Sequence, residues 1–101
     1  MQKIRNGKLY DTKTAKLVSE YEWGIPGNID HVYEALYVKT TGEFFLFARG
    51  GANTEYRSSY SAHSWGEGKT IIPLSEDEAK AWAEEHCDGE TYITTFGPVT
   101  E

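Results

Sequence analysis

The chain has 101 residues, which is the size of one domain. It contains a single cysteine and has a formal charge of −6. One cysteine cannot form an internal disulfide, so the composition excludes a disulfide-stabilised scaffold. The negative charge argues against direct binding to nucleic acid. We expect no transmembrane helix and no secretory leader, because no long apolar run occurs, and hence a cytoplasmic location.

The negative charge is concentrated near the C-terminus. Residues 75–90 contain seven acidic side chains and one basic side chain, Lys80, so this segment has the whole net charge of −6. Residues 1–16 contain five basic side chains and one acid. We therefore expect an acidic segment attached to a neutral body that has a basic start.

Strand and turn signals dominate the N-terminal part. Asn6-Gly7 predicts a hairpin with a type I′ turn, because both central residues of that turn need positive φ. A second turn is predicted at residues 11–14, where Asp11 can bond the nearby backbone. Residues 15–23 alternate in polarity and predict a half-buried strand. One face of that strand would carry Ala15, Leu17, Ser19, Tyr21 and Trp23.

A second alternating strand is predicted at residues 31–39. Its pattern places Leu36 on the face opposite Tyr33 and Tyr37. Large aromatic side chains usually lie against another element when they share one face of a strand. We expect that aromatic face to be covered by the C-terminal helix or by the loop at residues 50–68.

The most apolar strand is predicted at residues 43–49, after a tight turn at Gly42. Both of its faces are apolar, which is typical of a central strand covered on both sides. Gly50-Gly51 follows it without the pattern of a phosphate-binding loop. We interpret these glycines as a strand exit that needs unusual backbone angles.

Residues 50–68 form a long segment with no apolar period. A loop of this length in a small domain is usually functional or disordered, and a small hairpin inside it is an alternative. Tyr, Trp and Arg dominate binding hot spots. The candidate partner-binding anchors are Tyr56, Arg57, Tyr60 and Trp65. Alternatively, the aromatic side chains fold back onto the sheet. A short strand at residues 69–72, closed by Pro73, is predicted to follow.

The C-terminal segment, residues 74–97, predicts helical structure. Ser75 and Glu78 have capping-box spacing, and Leu74 with Ala79 has the spacing of a hydrophobic staple. A core-facing stripe is predicted at Ala79, Trp82, Ala83 and His86. We expect Gly89 to end this helix. A further turn or two is predicted at residues 90–96, with Tyr92, Ile93 and Phe96 pointing inward and Gly97-Pro98 as the stop.

The same helix carries a candidate acidic surface. Its members are Glu76, Asp77, Glu78, Glu84 and Glu85. A cluster of exposed carboxylates accelerates association with a basic protein surface, which is the partner we expect. The alternative interpretation is an ordinary solvated helix face with a well-capped start.

Strands come first in the chain and helices last, which predicts an α+β fold. We expect one domain over residues 1–101, with a β-rich body at 1–73 and a helical segment at 74–97. Its architecture would be an antiparallel sheet of four to six strands with the C-terminal α-helix packed on one face.

The residues give little sign of catalysis. His86 and Cys87 are adjacent on the predicted helix and point about 100° apart, so they do not face each other. The three histidines and Cys87 lack the spacing of metal ligands. We therefore predict no enzyme, no metal and no cofactor. Two alternatives stay open: a metal- or thiol-dependent enzyme that uses Cys87 and the histidines, or a module that self-associates through an edge strand at residues 1–5 or 69–72.

Three stretches together resemble a known group of proteins. They are Gly7-Lys-Leu-Tyr-Asp-Thr12 with Thr14-Ala-Lys-Leu-Val18, Gly42-Glu-Phe-Phe-Leu-Phe47 ending in Gly50-Gly51, and Ile71-Ile-Pro-Leu-Ser-Glu-Asp-Glu-Ala-Lys-Ala-Trp82. Their order and spacing resemble small accessory proteins of phages and conjugative elements of Gram-positive bacteria. Some similar proteins are anti-CRISPR proteins, which block a Cas effector by binding it. The resemblance thus implies a non-enzymatic inhibitor that binds a CRISPR-Cas effector, and it transfers no catalytic residue.

Overall fold

A computed structural model describes residues 1–61 and 64–100, apart from the side chains of Tyr60, Ser61 and Ser64. The strands in this part are β1 (Gln2–Arg5), β2 (Lys8–Asp11), β3 (Lys16–Trp23), β4 (Val32–Val38), β5 (Phe44–Gly50), β6 (Ser58–Ser61), β7 (Ser64–Gly66) and β8 (Gly68–Leu74). The helices are α1 (Glu76–His86) and α2 (Gly89–Phe96). The fold is α+β, as the order of the elements predicted.

The main sheet has four antiparallel strands in the order β3-β4-β5-β8. The central position predicted for β5 is confirmed, since β4 and β8 lie on its two sides. β8 continues to Leu74, so the prediction that Pro73 closes this strand was wrong. Pro73 pairs with Phe45 in the ladder, and an edge strand tolerates the missing N–H of proline.

In the described part of the chain, two separate hairpins accompany the main sheet. β1 pairs with β2 through a turn in which Asn6 and Gly7 have φ of 52° and 75°, as a type I′ turn requires. β6 pairs with β7 inside the long segment between β5 and β8, which is the small hairpin considered as an alternative there.

Both helices contact the main sheet, and they contribute to the core on its Leu36 face. The buried cluster there contains Leu36, Leu46, Ala48 and Ala79. Leu74, Trp82 and Phe96 pack around it. Ala79 and Ala83 of α1 are completely buried and His86 is half-buried, so the predicted core-facing stripe is confirmed.

The N-terminal hairpin contributes to the core on the opposite face. Tyr10 from β2 joins Phe45 and Ile71 in a second buried cluster. Tyr37 stacks on Phe45 with 5.3 Å between ring centroids. The prediction that a helix or the 50–68 segment covers this aromatic face was wrong. The helices pack on the sheet face that carries Leu36. The β1–β2 hairpin packs on the opposite face, where Tyr10 contacts the core.

A bulge divides β3 into two halves. The register with β4 shifts between Leu17 and Ser19. Because side chains alternate between faces, one extra residue exchanges the faces beyond it. Leu17 therefore lies opposite Tyr37 and is 42% exposed, whereas Tyr21 lies opposite Glu34 on the helix-covered side. The prediction that Leu17 and Tyr21 share one face was wrong.

The end of α1 also differs from the prediction. α1 stops at His86 with Cys87 as its C-cap, and Gly89 is the first residue of α2 rather than a terminator. Asp88 caps α2 by accepting a hydrogen bond from the Thr91 amide at 2.7 Å. Ile93 is 46% exposed, so its predicted inward position was wrong.

Gly50 and Gly51 are required for a reason other than the predicted one. Neither has positive φ. A Cβ atom on Gly51 would lie 2.5 Å from the Asn28 carbonyl oxygen, and one on Gly50 would lie 2.1 Å from the Thr54 hydroxyl. The close approach of neighbouring chain segments, and not unusual backbone angles, favours glycine here.

Candidate binding surfaces

The capping box of α1 gives one of the predicted acids, Glu78, a structural role, although its side chain stays exposed. Ser75 Oγ accepts from the Glu78 amide at 3.1 Å, and Glu78 Oε1 accepts from the Ser75 amide at 2.9 Å. The backbone hydrogen bond from Ser75 holds the pKa of Glu78 below its usual range. Glu78 thus stabilises the start of the helix.

The four other predicted acids form what we call the acidic face of α1. They are Glu76, Asp77, Glu84 and Glu85. All four are exposed, and the side chains of Glu76 and Glu85 are 67% and 77% exposed. Lys80 Nζ lies 3.6 Å from Glu76 Oε1, and His86 Nε2 lies 3.6 Å from Glu85 Oε2. The structure therefore brings these acids together on the solvent side of a helix whose inner side is fixed by Ala79 and Ala83.

Tyr56, one of the predicted anchors, points into the fold. Its hydroxyl donates a hydrogen bond to Glu34 Oε2, and its ring packs against the helix-side core. Burial, together with the hydrogen bond to Glu34, raises the pKa of Tyr56. Trp82 Nε1 donates to the other Glu34 oxygen at 2.8 Å. This position agrees with the alternative in which loop aromatics fold back onto the sheet.

Glu34 was missed by sequence reasoning, although the sequence contains a signal for it. It is the carboxylate that lies between Val32 and Leu36 on the apolar face of β4. A carboxylate that is half-buried on an apolar face needs hydrogen-bond donors, and such donors come from other elements. Their identity depends on tertiary structure, so the pattern of one strand could not supply it.

Arg57 and Trp65, two further predicted anchors, lie against each other. The guanidinium carbon of Arg57 is 4.2 Å from the centre of the Trp65 ring. Trp65 is 50% exposed and Arg57 is exposed as well, so both are accessible to a partner. The side chain of Tyr60 and the whole of His63 lie outside the described residues.

Further exposed apolar side chains lie near one end of the main sheet. Trp23 is 57% exposed at the end of β3, and Ile25 and Ile29 in the following loop are 70% and 58% exposed. Trp23 pairs with Val32, which places it at the end of the sheet where β8 begins. We call Trp23, Ile25 and Ile29 the apolar end. Sequence reasoning treated residues 24–28 only as a chain break, although the isoleucine in this loop, Ile25, indicates an exposed apolar side chain.

Hydrogen bonds fix the loop that carries Ile25 and Ile29. The Asn53 amide donates to the Ile29 carbonyl at 2.8 Å, and its side chain donates to Asp30 Oδ1 at 2.6 Å. The Gly51 amide donates to the His31 carbonyl at 2.9 Å. The apolar end is thus supported by two chain segments that hold each other in place.

Cys87 borders a shallow groove of about 410 Å³ that is otherwise lined mainly by α2 and Val99. The part of the lining that the structure describes contains no histidine. His86 instead contacts aromatic rings, with ring centroids 4.0 Å from Tyr21 and 4.8 Å from Trp82. Within residues 1–61 and 64–100, no three His, Cys, Asp or Glu side chains are placed to hold a metal ion.

Comparison with known proteins gives no relative. No family model matches the chain, and no curated protein or solved structure matches it significantly. The resemblance to accessory proteins of mobile elements therefore stays a prediction. None of the described helices is long and apolar enough to cross a membrane.

Proposed function

We propose that this chain is a non-enzymatic binding protein that attaches to a basic protein surface through the acidic face of α1. The observation that supports this proposal most strongly is the exposure of Glu76, Asp77, Glu84 and Glu85 on one helix. The single lysine of α1 lies beside Glu76 and leaves Asp77 and Glu84 without a cation of their own helix. Such a charge distribution accelerates association with a basic partner, and added salt weakens this attraction.

The support of the helix favours binding as well. Ala79 and Ala83 are completely buried, and the capping box fixes the first turn. Because the carboxylates project from a fixed helix, little backbone entropy is lost when a partner binds. Arg57 and Trp65, which lie against each other between β5 and β8, supply contacts of the residue types that dominate hot spots.

The partner we propose is the nucleic-acid-binding channel of a CRISPR-Cas effector. The resemblance of three sequence stretches to proteins of mobile elements supports this partner, and the basic character of such a channel fits the acidic face. An acidic protein in the channel would compete with nucleic acid, whose binding is itself driven by counterion release. The proposed consequence is inhibition of the effector without any chemical step.

The experiment measures target-DNA binding by a purified, guide-loaded Cas effector in the presence of this protein. We expect inhibition that weakens between about 50 and 200 mM salt. The double variant Glu84→Gln/Glu85→Gln should inhibit clearly less. A double variant Thr40→Lys/Thr100→Lys serves as control, because it changes the net charge equally at two exposed positions outside α1. Equal inhibition by the wild type and the glutamine variant, or equal loss in both variants, would contradict a role for this face.

A further inference from the structure

β3 is an edge strand whose second half has a regular alternation of acids and aromatics. Within the described residues, β3 pairs with β4 alone. Beyond the bulge, Glu20 and Glu22 lie opposite Ala35 and Tyr33 on the face away from the helices. Tyr21 and Trp23 lie on the helix-covered face. The edge therefore presents carboxylates on one side and aromatic rings on the other over residues 19–23.

The two carboxylates of this edge are oriented by donors on or next to β4. The Tyr33 hydroxyl donates to Glu20 Oε1 at 2.8 Å. Glu22 Oε2 lies 2.8 Å from Nε2 of His31, a residue that is only 4% exposed. The side chain of Glu22 nevertheless remains 46% exposed. Both carboxylates are thus held in place at the edge while they stay accessible from solvent.

The aromatic side of the edge is fixed at one position and open at the next. The ring centroids of Tyr21 and His86 are 4.0 Å apart, so Tyr21 contacts α1. Trp23, two residues further on the same side, is 57% exposed. A strand lying beside β3 would therefore find an apolar contact surface that is ordered before it arrives.

We propose that the edge of β3 at residues 19–23 binds an extended segment of a partner protein in which basic and apolar residues alternate. The segment would join the sheet as a fifth strand through the backbone groups of the edge. Side chains directly opposite each other in paired strands share a face and interact. Lysine or arginine would then lie opposite Glu20 and Glu22, and apolar residues opposite Tyr21 and Trp23.

A second copy of this chain fits the same edge poorly. When two copies of residues 19–23 pair antiparallel, a glutamate of one copy lies opposite a glutamate of the other: Glu20 opposite Glu20, Glu20 opposite Glu22, or Glu22 opposite Glu22. Like charges directly opposite each other destabilise strand pairing. The bulge between Leu17 and Ser19 interrupts the regular edge before residue 19. A second copy therefore cannot avoid these glutamates by pairing with the preceding residues instead. Charge therefore disfavours antiparallel self-association and favours a basic segment.

The first test uses two synthetic eight-residue peptides, one alternating Lys and Val and one alternating Glu and Val. We expect the lysine peptide to bind and to slow hydrogen exchange at alternate amides of residues 19–23, because those that face away from β4 gain acceptors. The glutamate peptide should leave exchange unchanged. Protection elsewhere, or equal binding of both peptides, would overturn the proposal. Edge protection that rises with protein concentration and needs no peptide would show a second copy instead.

The second test separates this edge from the acidic face of α1. Glu20→Gln/Glu22→Gln keeps an oxygen acceptor for Tyr33 and His31 but removes both charges. We expect it to weaken the lysine peptide by about threefold to tenfold, from the worth of cross-strand charge pairs. The matched variant Asp77→Asn/Glu84→Gln should keep wild-type affinity for that peptide. If Asp77→Asn/Glu84→Gln weakens the lysine peptide and Glu20→Gln/Glu22→Gln does not, peptide binding belongs to α1 and the edge proposal is overturned. This holds whatever the outcome with a Cas effector.

Discussion

Glu34 is the residue that joins three parts of the fold. Its backbone belongs to β4, and its two carboxylate oxygens accept hydrogen bonds from Trp82 on α1 and from Tyr56 after β5. A carboxylate within an apolar layer is unfavourable unless donors replace the water that it loses. The two donors offset that cost and fix how the segment after β5 and the helix meet the sheet.

We predict that Glu34→Ala destabilises the protein by about 1–3 kcal/mol. The substitution leaves the Trp82 indole N–H and the Tyr56 hydroxyl without their acceptor while both side chains remain half-buried. Urea unfolding followed by tryptophan fluorescence measures the loss. Glu34→Gln keeps one carbonyl oxygen and should lose clearly less. If both variants lose the same free energy of unfolding, the hydrogen bonds to Trp82 and Tyr56 do not account for the contribution of Glu34.

At the scale of single elements, α1 starts with a complete capping box. Ser75 and Glu78 satisfy each other's backbone amides, and the carboxylates of the first turn suit the positive end of the helix dipole. Leu74 before the cap and Ala79 after it both belong to the helix-side core. The start of the helix is therefore fixed by local and tertiary contacts together.

We predict that Ser75→Ala destabilises the protein by about 1 kcal/mol, because the Glu78 amide loses its acceptor. The midpoint of thermal unfolding by circular dichroism measures the change. Ser75→Thr keeps the hydroxyl and should retain most of the stability. A threonine variant as unstable as the alanine variant would point to the size of the side chain rather than to the cap.

Local signals account for the elements that were predicted correctly. The Asn6-Gly7 turn, the Ser75 cap and the apolar run of β5 each depend on neighbours in sequence. The errors on β3 and over Tyr37 concern contacts between distant segments. The bulge at Leu17 and the cover over Tyr37 are settled by tertiary packing, and no pattern within one strand contains that information.

The candidate surfaces show the same division. The predicted acids of α1 are all exposed and lie on the solvent side of the helix, and Glu78 also belongs to the cap, while their role in binding stays a prediction. Tyr56 was named as an anchor, yet its position follows from Glu34 across the sheet. Trp23 becomes exposed because β3 is an edge strand, a property that only the strand order reveals.

At the scale of the whole molecule, ion pairs and hydrogen bonds make stability depend on pH at both extremes. The side chain of Glu43 accepts hydrogen bonds from Lys8 and Thr41, and these lower the pKa of Glu43 to about 2. Cap hydrogen bonds lower the pKa of Glu78 and of Asp88 as well. At the alkaline side, burial and a hydrogen bond to Glu20 raise the pKa of Tyr33 to about 12.

The directions of these shifts predict a stability plateau with two falling limbs. A carboxylate whose pKa is lower in the folded state stabilises the fold above its unfolded pKa, and this contribution disappears as the pH falls through the folded pKa. For Glu43 that window runs from 4.5 down to about 2. A tyrosine whose pKa is raised acts in the opposite direction, so the contribution of Tyr33 disappears between 10 and about 12.

We predict that Glu43→Gln flattens the acid limb and that Tyr33→Phe flattens the alkaline limb. Glutamine has no charge to lose between pH 4.5 and about 2, and phenylalanine has no proton to lose between pH 10 and about 12. The midpoint of urea unfolding, measured at intervals from pH 2 to pH 12, gives both limbs for each variant. Glu43→Gln also removes the charge that raises the pKa of Lys8, so it should lower stability near neutral pH while it reduces the slope below pH 4.5. An acid limb as steep as that of the wild type would mean that other carboxylates, and not the contacts of Glu43 with Lys8 and Thr41, control acid unfolding.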